Sequence, residues 1–181
     1  TIMGAGEYLS ELLREKGFEV MHVTSVYDLV DGKLDRNEAY SRAEKEISQI
    51  LEEYPSIQAV IDLHRDGVNE NTHLVTEING KPMARFMFFN GLSRTKKNGP
   101  IDYLYNPYIE DNLAMSLKMQ LAATELYPGF TRKIYLKSYR YNMHLIPKYL
   151  LIEAGAQTNT VKEMQRSMKV LADLLDTVVD P

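Results

Sequence analysis

Two stretches of the sequence each end a buried-looking apolar run on a reactive side chain. In Val60-Ile61-Asp62-Leu63-His64-Arg65-Asp66-Gly67, an apolar strand runs into a histidine bracketed by charges. In Leu150-Leu151-Ile152-Glu153-Ala154-Gly155-Ala156, a similar run reaches a glutamate followed by small residues. A neutral imidazole is a standard zinc ligand, and a nearby carboxylate, here Asp62 or Asp66, can orient its ring. A carboxylate at the end of a buried strand is costly unless something compensates its charge. So placed, it can take a proton from an attacking water and return it to a leaving amine. Each residue also has a plainer reading: His64 as a strand-end histidine bonded to backbone, and Glu153 as the partner of an Arg or Lys at a sheet edge. The spacing alone leaves these alternatives open. Because open α/β sheets bind ligands beyond the carboxyl ends of their strands, the two residues together point to one shared site.

A catalytic zinc takes three protein ligands and a water. The other histidines are His22, His73 and His144, and none stands in an HxH or HExxH spacing. His73 opens a predicted hairpin and His144 follows Tyr141-Asn142. Either can reach the same cleft, or be a structural or solvated histidine. A metallopeptidase using His73 or His144 is thus a further reading. The segment Lys137-Ser138-Tyr139-Arg140-Tyr141-Asn142 brings aromatic and hydrogen-bonding groups just ahead of Glu153. It reads as one wall of a glycan or peptide groove, or as a decorated surface loop. Met115 and Met119, four apart on a predicted helix, read as core.

The elements that position these residues follow from apolar spacing. Ile2, Ala5, Leu9, Leu12 and Leu13 predict a helix closed at Gly17. Ala39, Ala43, Ile47, Ile50 and Leu51 predict a second that stops near Pro55. A third runs from Ile109 to Leu126 and ends at Tyr127-Pro128-Gly129. The fourth starts at Thr160, with Glu163 completing a capping box, and buries Val161, Met164, Met168, Leu171 and Leu175. Strands are predicted at Phe18 to Val23, Ile57 to Leu63, Thr131 to Leu136 and Tyr149 to Ile152. His73 to Ile78 and Met83 to Phe89 flank Asn79-Gly80, a strong hairpin signal. Ser93 to Asn106 and Asp28 to Asp35 read as surface loops. This alternation predicts a single α/β domain over residues 1–181, a three-layer sandwich with a mostly parallel sheet flanked by helices and one β-hairpin excursion. The first predicted element is a helix where an α/β sheet usually has a strand, so a preceding strand is expected.

Bulk composition narrows the function classes. The chain has 181 residues, 44% of them apolar and 25% charged, as in an ordinary globular domain. Its net charge of −4 argues against a nucleic-acid partner held through phosphates. It has no cysteine, which excludes disulfides, iron–sulfur clusters and thiol catalysis. No apolar run reaches the length of a membrane span, and no signal peptide is visible.

Several ordered stretches resemble the stage II sporulation protein P family. They are Pro55 to Gly67, Tyr127-Pro128-Gly129-Phe130-Thr131-Arg132, Arg140-Tyr141-Asn142 and Leu151 to Thr160. The resemblance implies a zinc-dependent N-acetylmuramoyl-L-alanine amidase. Its substrate would be peptidoglycan, cut between the muramic acid lactyl group and the first L-alanine during engulfment. It implies His64 as a metal ligand, Glu153 as the catalytic carboxylate and zinc as cofactor. Arg65 and Asn142, inside the matching motifs, are candidate substrate-binding residues. It further implies an extracytoplasmic, envelope location with membrane attachment only through an anchor ahead of this chain, and stage II sporulation protein D as a possible partner. The family's strand ending in His-x-His, followed by a Ser-Glu pair, is expected before Thr1, so the domain is read as lacking its first strand and metal-binding segment. The alternative is a catalytically inactive binding or scaffolding module of the same fold.

Overall fold

A computed structural model describes residues 1–179. The helices are α1 (Ile2–Glu15), α2 (Ala39–Glu53), α3 (Ile109–Leu126) and α4 (Val161–Val179). The strands are β1 (Leu29–Val30), β2 (Lys33–Leu34), β3 (Val60–Asp66), β4 (Val75–Ile78), β5 (Lys81–Ala84), β6 (Phe86–Gly91), β7 (Arg94–Thr95), β8 (Gly99–Pro100), β9 (Tyr135–Lys137) and β10 (Tyr149–Ala156). The central sheet has the order β3-β10-β6-β9. Two of its pairings, β3 with β10 and β6 with β9, are parallel, and β6 runs antiparallel to β10. The result is an α/β sandwich with a mixed, mostly parallel sheet.

Period-two side-chain alternation gives the sheet two different faces. Ile61 and Leu63 of β3, Leu150, Ile152 and Ala154 of β10, and Phe86 and Phe88 of β6 join the main core. Residues from α1, α3 and α4 cover that face, among them Leu9, Met115, Met119, Met168 and Leu171. The opposite face carries a much smaller apolar cluster of Met87, Phe89 and Leu151, against which Tyr141 packs. Here α2 sends Tyr40 toward the sheet, where its ring stacks on His64 at 6.3 Å between centroids.

The helices follow their predicted spans, and the capping box forms: the Glu163 backbone N–H donates to Thr160 Oγ1 at 3.2 Å, and the Thr160 N–H donates to Glu163 Oε2 at 2.9 Å. The strands differ in instructive ways. Residues 18–23 form no strand. Phe18 and Val20 pack on the core from an irregular segment, and the Val20 carbonyl is bonded by the Arg14 guanidinium at 2.8 Å. Apolar alternation there reports packing against helices, not ladder pairing. The run Met83 to Phe89 serves two sheets. Its first part pairs with β4 around Asn79 and Gly80, both at positive φ. At Arg85 the chain breaks away, its N–H donating to Leu74 O and its carbonyl accepting from Gly155 N. Phe86 onward then enters the central sheet. The predicted strand at 131–136 shrinks to Tyr135–Lys137, preceded by a single bridge between Phe86 and Thr131. The two predicted surface loops each contain a two-residue ribbon, β1–β2 and β7–β8.

Candidate active site

His64 and Glu153 are direct register partners on the parallel pair β3–β10. Both face away from the main core, on the side of the small cluster. Asp62 and Tyr149, two and four residues earlier on their strands, share that face by alternation. His64 Nε2 lies 2.8 Å from Asp62 Oδ1, and the Tyr149 hydroxyl donates to Asp62 Oδ2 at 3.3 Å. Tyr149 is buried, so Asp62 is anchored from below and holds the imidazole ring from the side. With Nε2 engaged, Nδ1 is the nitrogen left for a ligand. Burial pushes the His64 ring toward neutrality, but the Asp62 hydrogen bond and the charges of Asp62, Glu153 and Asp28 outweigh it and raise its pKa.

Glu153 sits in a less compensated setting. Among the described residues, no donor reaches its buried Oε2. Burial raises its pKa above the ordinary carboxylate value; His64 and Arg132 pull it down, while Asp66 and Asp62 push it up. Arg132 itself is bonded to Asp66 Oδ2 at 2.7 Å. A buried carboxylate with an open acceptor and a raised pKa is suited to take up a proton.

The backbone just beyond Glu153 is tightly specified. The β3–β10 register shifts between Glu153 and Ala156, and Gly155 takes φ +61°. A Cβ at Gly155 would come within 2.5 Å of Asn159 Oδ1 and 2.8 Å of the Ala84 Cβ, so only glycine fits. Asn159 Oδ1 accepts from the Ala156 N–H at 2.8 Å, and its Nδ2 donates to Leu74 O and Glu163 Oε2. Arg65 points to the opposite side of β3 from His64. Its guanidinium bonds the Ala156 carbonyl and, at 2.9 Å, the Asn159 carbonyl. Arg65 thereby clamps the turn that ends the Glu153 strand.

Asn142 is buried, at φ +58°, and donates to the Tyr40 carbonyl at 2.9 Å. It links the 138–142 loop to the residue stacked on His64. His144 and His73 stand apart from His64. His144 Nε2 is 3.0 Å from Glu44 Oε1, beside the Arg140–Glu44 ion pair. Burial and the Arg140 charge lower the His144 pKa against the pull of Glu44. His73 Nε2 is 2.9 Å from Glu163 Oε2. Sequence reasoning did not assign roles to Tyr149, Tyr40 or Arg132. Tyr149 was legible in principle, because Tyr149, Leu151 and Glu153 alternate onto one face; the contacts of Tyr40 and Arg132 are tertiary.

The donor chemistry of His64 and the uncompensated Glu153 fits the edge of a zinc site. It does not complete one: among the described residues, no three His, Cys, Asp or Glu side chains converge on a position that could hold a metal. No helix among them is long and apolar enough to cross a membrane.

Comparison with known proteins agrees with these motifs. Over 176 residues the chain is 24% identical to stage II sporulation protein P of Bacillus subtilis (strain 168), a match covering 93% of this chain and 41% of that relative. The chain thus spans about two fifths of the length of the curated relative it matches. The family model for stage II sporulation protein P matches residues 1–176, and the chain belongs to that family.

Proposed function

We propose that the chain is the general-base-bearing part of a zinc-dependent N-acetylmuramoyl-L-alanine amidase that acts on peptidoglycan during sporulation engulfment. The observation that carries this reading is the uncompensated Glu153 carboxylate beside His64 on one face of β3–β10. Family membership supports the sporulation setting. In this reading His64 is one zinc ligand and Asp62 orients it. The further ligands are those the family resemblance places ahead of α1.

Bound zinc supplies Lewis-acid polarisation of the scissile carbonyl. Glu153 takes a proton from the attacking water as the water oxygen bonds to the carbonyl carbon. It then gives that proton to the alanine nitrogen as the C–N bond breaks, so the carboxylate ends as it began. A raised pKa suits this double duty, because it makes the carboxylate a better base. Arg65 and Asn142 act as positioning residues: one holds the turn after Glu153, the other holds the loop beside Tyr40. The envelope location, an anchor outside this chain and a partnership with stage II sporulation protein D belong to the same proposal.

Digestion of purified peptidoglycan by the full-length protein tests it. The expected products are free stem peptides and denuded glycan strands, with zinc in the protein by elemental analysis and reduced zinc in His64→Ala. The incomplete donor set favours one alternative, a catalytically inactive binding or scaffolding module. Full-length protein without zinc and without released stem peptides would establish that alternative instead.

A further inference from the structure

A row of aromatic rings leads away from His64 across the small-cluster face of the sheet. Tyr40 stacks on His64, Tyr141 meets Tyr40 edge-on at 5.3 Å, and Phe89 meets Tyr141 edge-on at 4.9 Å. Tyr139 meets Tyr141 edge-on at 6.5 Å. The inner rings are packed, but Tyr139 at the end of the row is open to solvent, as are Tyr105 and Tyr103 on the neighbouring segment. Tyr139 is 60% exposed, Tyr105 is 74% exposed and Tyr103 is 78% exposed. The Tyr105 carbonyl accepts from Arg140 Nη1 at 3.4 Å, which brings the Tyr103–Tyr105 segment against the same loop.

That loop is held in place at evident cost. Tyr141 and Asn142 both have positive φ, 50° and 58°, a region that non-glycine residues rarely enter. Arg140 is paired with Glu44, and Asn142 with the Tyr40 carbonyl. Gly91 lies beneath: a Cβ there would come within 2.4 Å of the Tyr139 carbonyl and 2.8 Å of the Arg140 carbonyl. These constraints fix where Tyr139 stands relative to Tyr40 and His64.

We propose that Tyr139, with Tyr103 and Tyr105, forms a stacking platform for the amino-sugar rings of a glycan strand. The platform would seat the sugars flanking the bond presented to Glu153. Flat aromatic rings offer large contact area at low entropic cost, and their faces suit the C–H-rich face of a pyranose. Arg140 of this loop is engaged by Glu44, which leaves the ring faces rather than that cation to meet a ligand. This inference rests on the proposed peptidoglycan substrate, but its test requires neither zinc nor turnover.

The experiment is an NMR titration of the chain with two probes: a soluble N-acetylglucosamine tetramer, which lacks peptide, and a free stem tripeptide, which lacks sugar. The tetramer should shift the ring signals of Tyr139 and Tyr105. Tyr139→Ala should weaken its binding about tenfold or more, as loss of one stacking ring does elsewhere. Tyr139→Phe should retain binding, and Tyr54→Ala, just past the carboxyl end of α2, should leave it unchanged. A tetramer that shifts none of these rings, or that binds Tyr139→Ala as well as wild type, overturns the proposal. Shifts produced by the tripeptide alone overturn it too, and would assign the platform to peptide. If the tetramer does not bind while the full-length protein still cuts the amide, only the platform fails. If the tetramer binds but no amide is cut, the platform stands and the amidase reading fails.

Discussion

Two of the molecule's histidine–glutamate pairs, His73–Glu163 and His64–Glu153, look alike in sequence and differ in how fully each carboxylate is satisfied. At His73–Glu163, one oxygen, Glu163 Oε2, accepts from His73 at 2.9 Å, Asn159 at 3.0 Å and the Thr160 N–H at 2.9 Å. Burial pushes the Glu163 carboxyl up, but those donors outweigh it and hold it below its ordinary value. At His64–Glu153, the imidazole is turned toward Asp62, and the buried Glu153 oxygen has no donor among the described residues. Burial leaves that carboxyl raised. The first pair is built to keep its charge and tie β4, the turn at Asn159 and α4 together. The second withholds donors, which costs stability and leaves an acceptor for chemistry. The number of donors supplied, not the residue types, separates the two environments.

Substitutions can break this contrast. The largest effect on stability should come from Gly155→Ala, because Gly155 lies between the two pairs. Its positive φ and the close approach of Asn159 Oδ1 and Ala84 admit no Cβ. The expected loss is about 3 kcal/mol in denaturant unfolding, since strain and overpacking act together. Next, Glu163→Ala removes charge-assisted bonds from His73, Asn159 and the α4 cap. It should cost about 2 kcal/mol by the same measurement.

The Glu163 contribution should also depend on pH with a definite sign. The folded carboxyl has a pKa below the ordinary 4.5, so the unfolded chain binds the proton first. Stability from this group is complete above about 4.5 and is lost as pH falls from there through the lowered folded value. Unfolding curves across that window should be steeper in pH for wild type than for Glu163→Gln; equal slopes would contradict the assignment. The smallest stability effect should come from Glu153→Gln. Replacing a part-buried carboxylate whose inner oxygen has no donor should leave stability within about 0.5 kcal/mol of wild type or raise it. A large loss would show that Glu153 is a structural partner after all.

Much of this arrangement was legible in the sequence, and the gaps have physical reasons. Helical periodicity placed all four helices, and Thr160 with Glu163 announced the capping box. The apolar runs before His64 and Glu153 put each at the end of a strand, where the structure has both inside β3 and β10, and of the two carboxylates beside His64, Asp62 and Asp66, it is Asp62 that bonds the ring. Phe18 to Val23 misled because a segment packed on helices can alternate like a strand. Met83 to Phe89 misled because one continuous apolar run was divided between two sheets at Arg85. The antiparallel insertion of β6 beside β10 could not be read from local pattern, since strand order is a long-range property. Arg65 lay in a motif, but its clamp on Ala156 and Asn159 spans about ninety residues of sequence. The capping box disclosed Glu163, yet nothing local disclosed that His73 and Asn159 would converge on the same oxygen.

In the proposed reaction Glu153, not Glu163, moves the proton. The most direct measurement compares wild-type, Glu153→Gln and Glu163→Gln full-length proteins in amide cleavage of purified peptidoglycan, each assayed below its own melting temperature. The proposed reaction predicts that Glu153→Gln lowers the rate by about 10²- to 10⁴-fold, the usual worth of a positioned general base. It predicts that Glu163→Gln retains most of the rate and loses stability instead. Stem-peptide release by Glu153→Gln at the wild-type rate would contradict it.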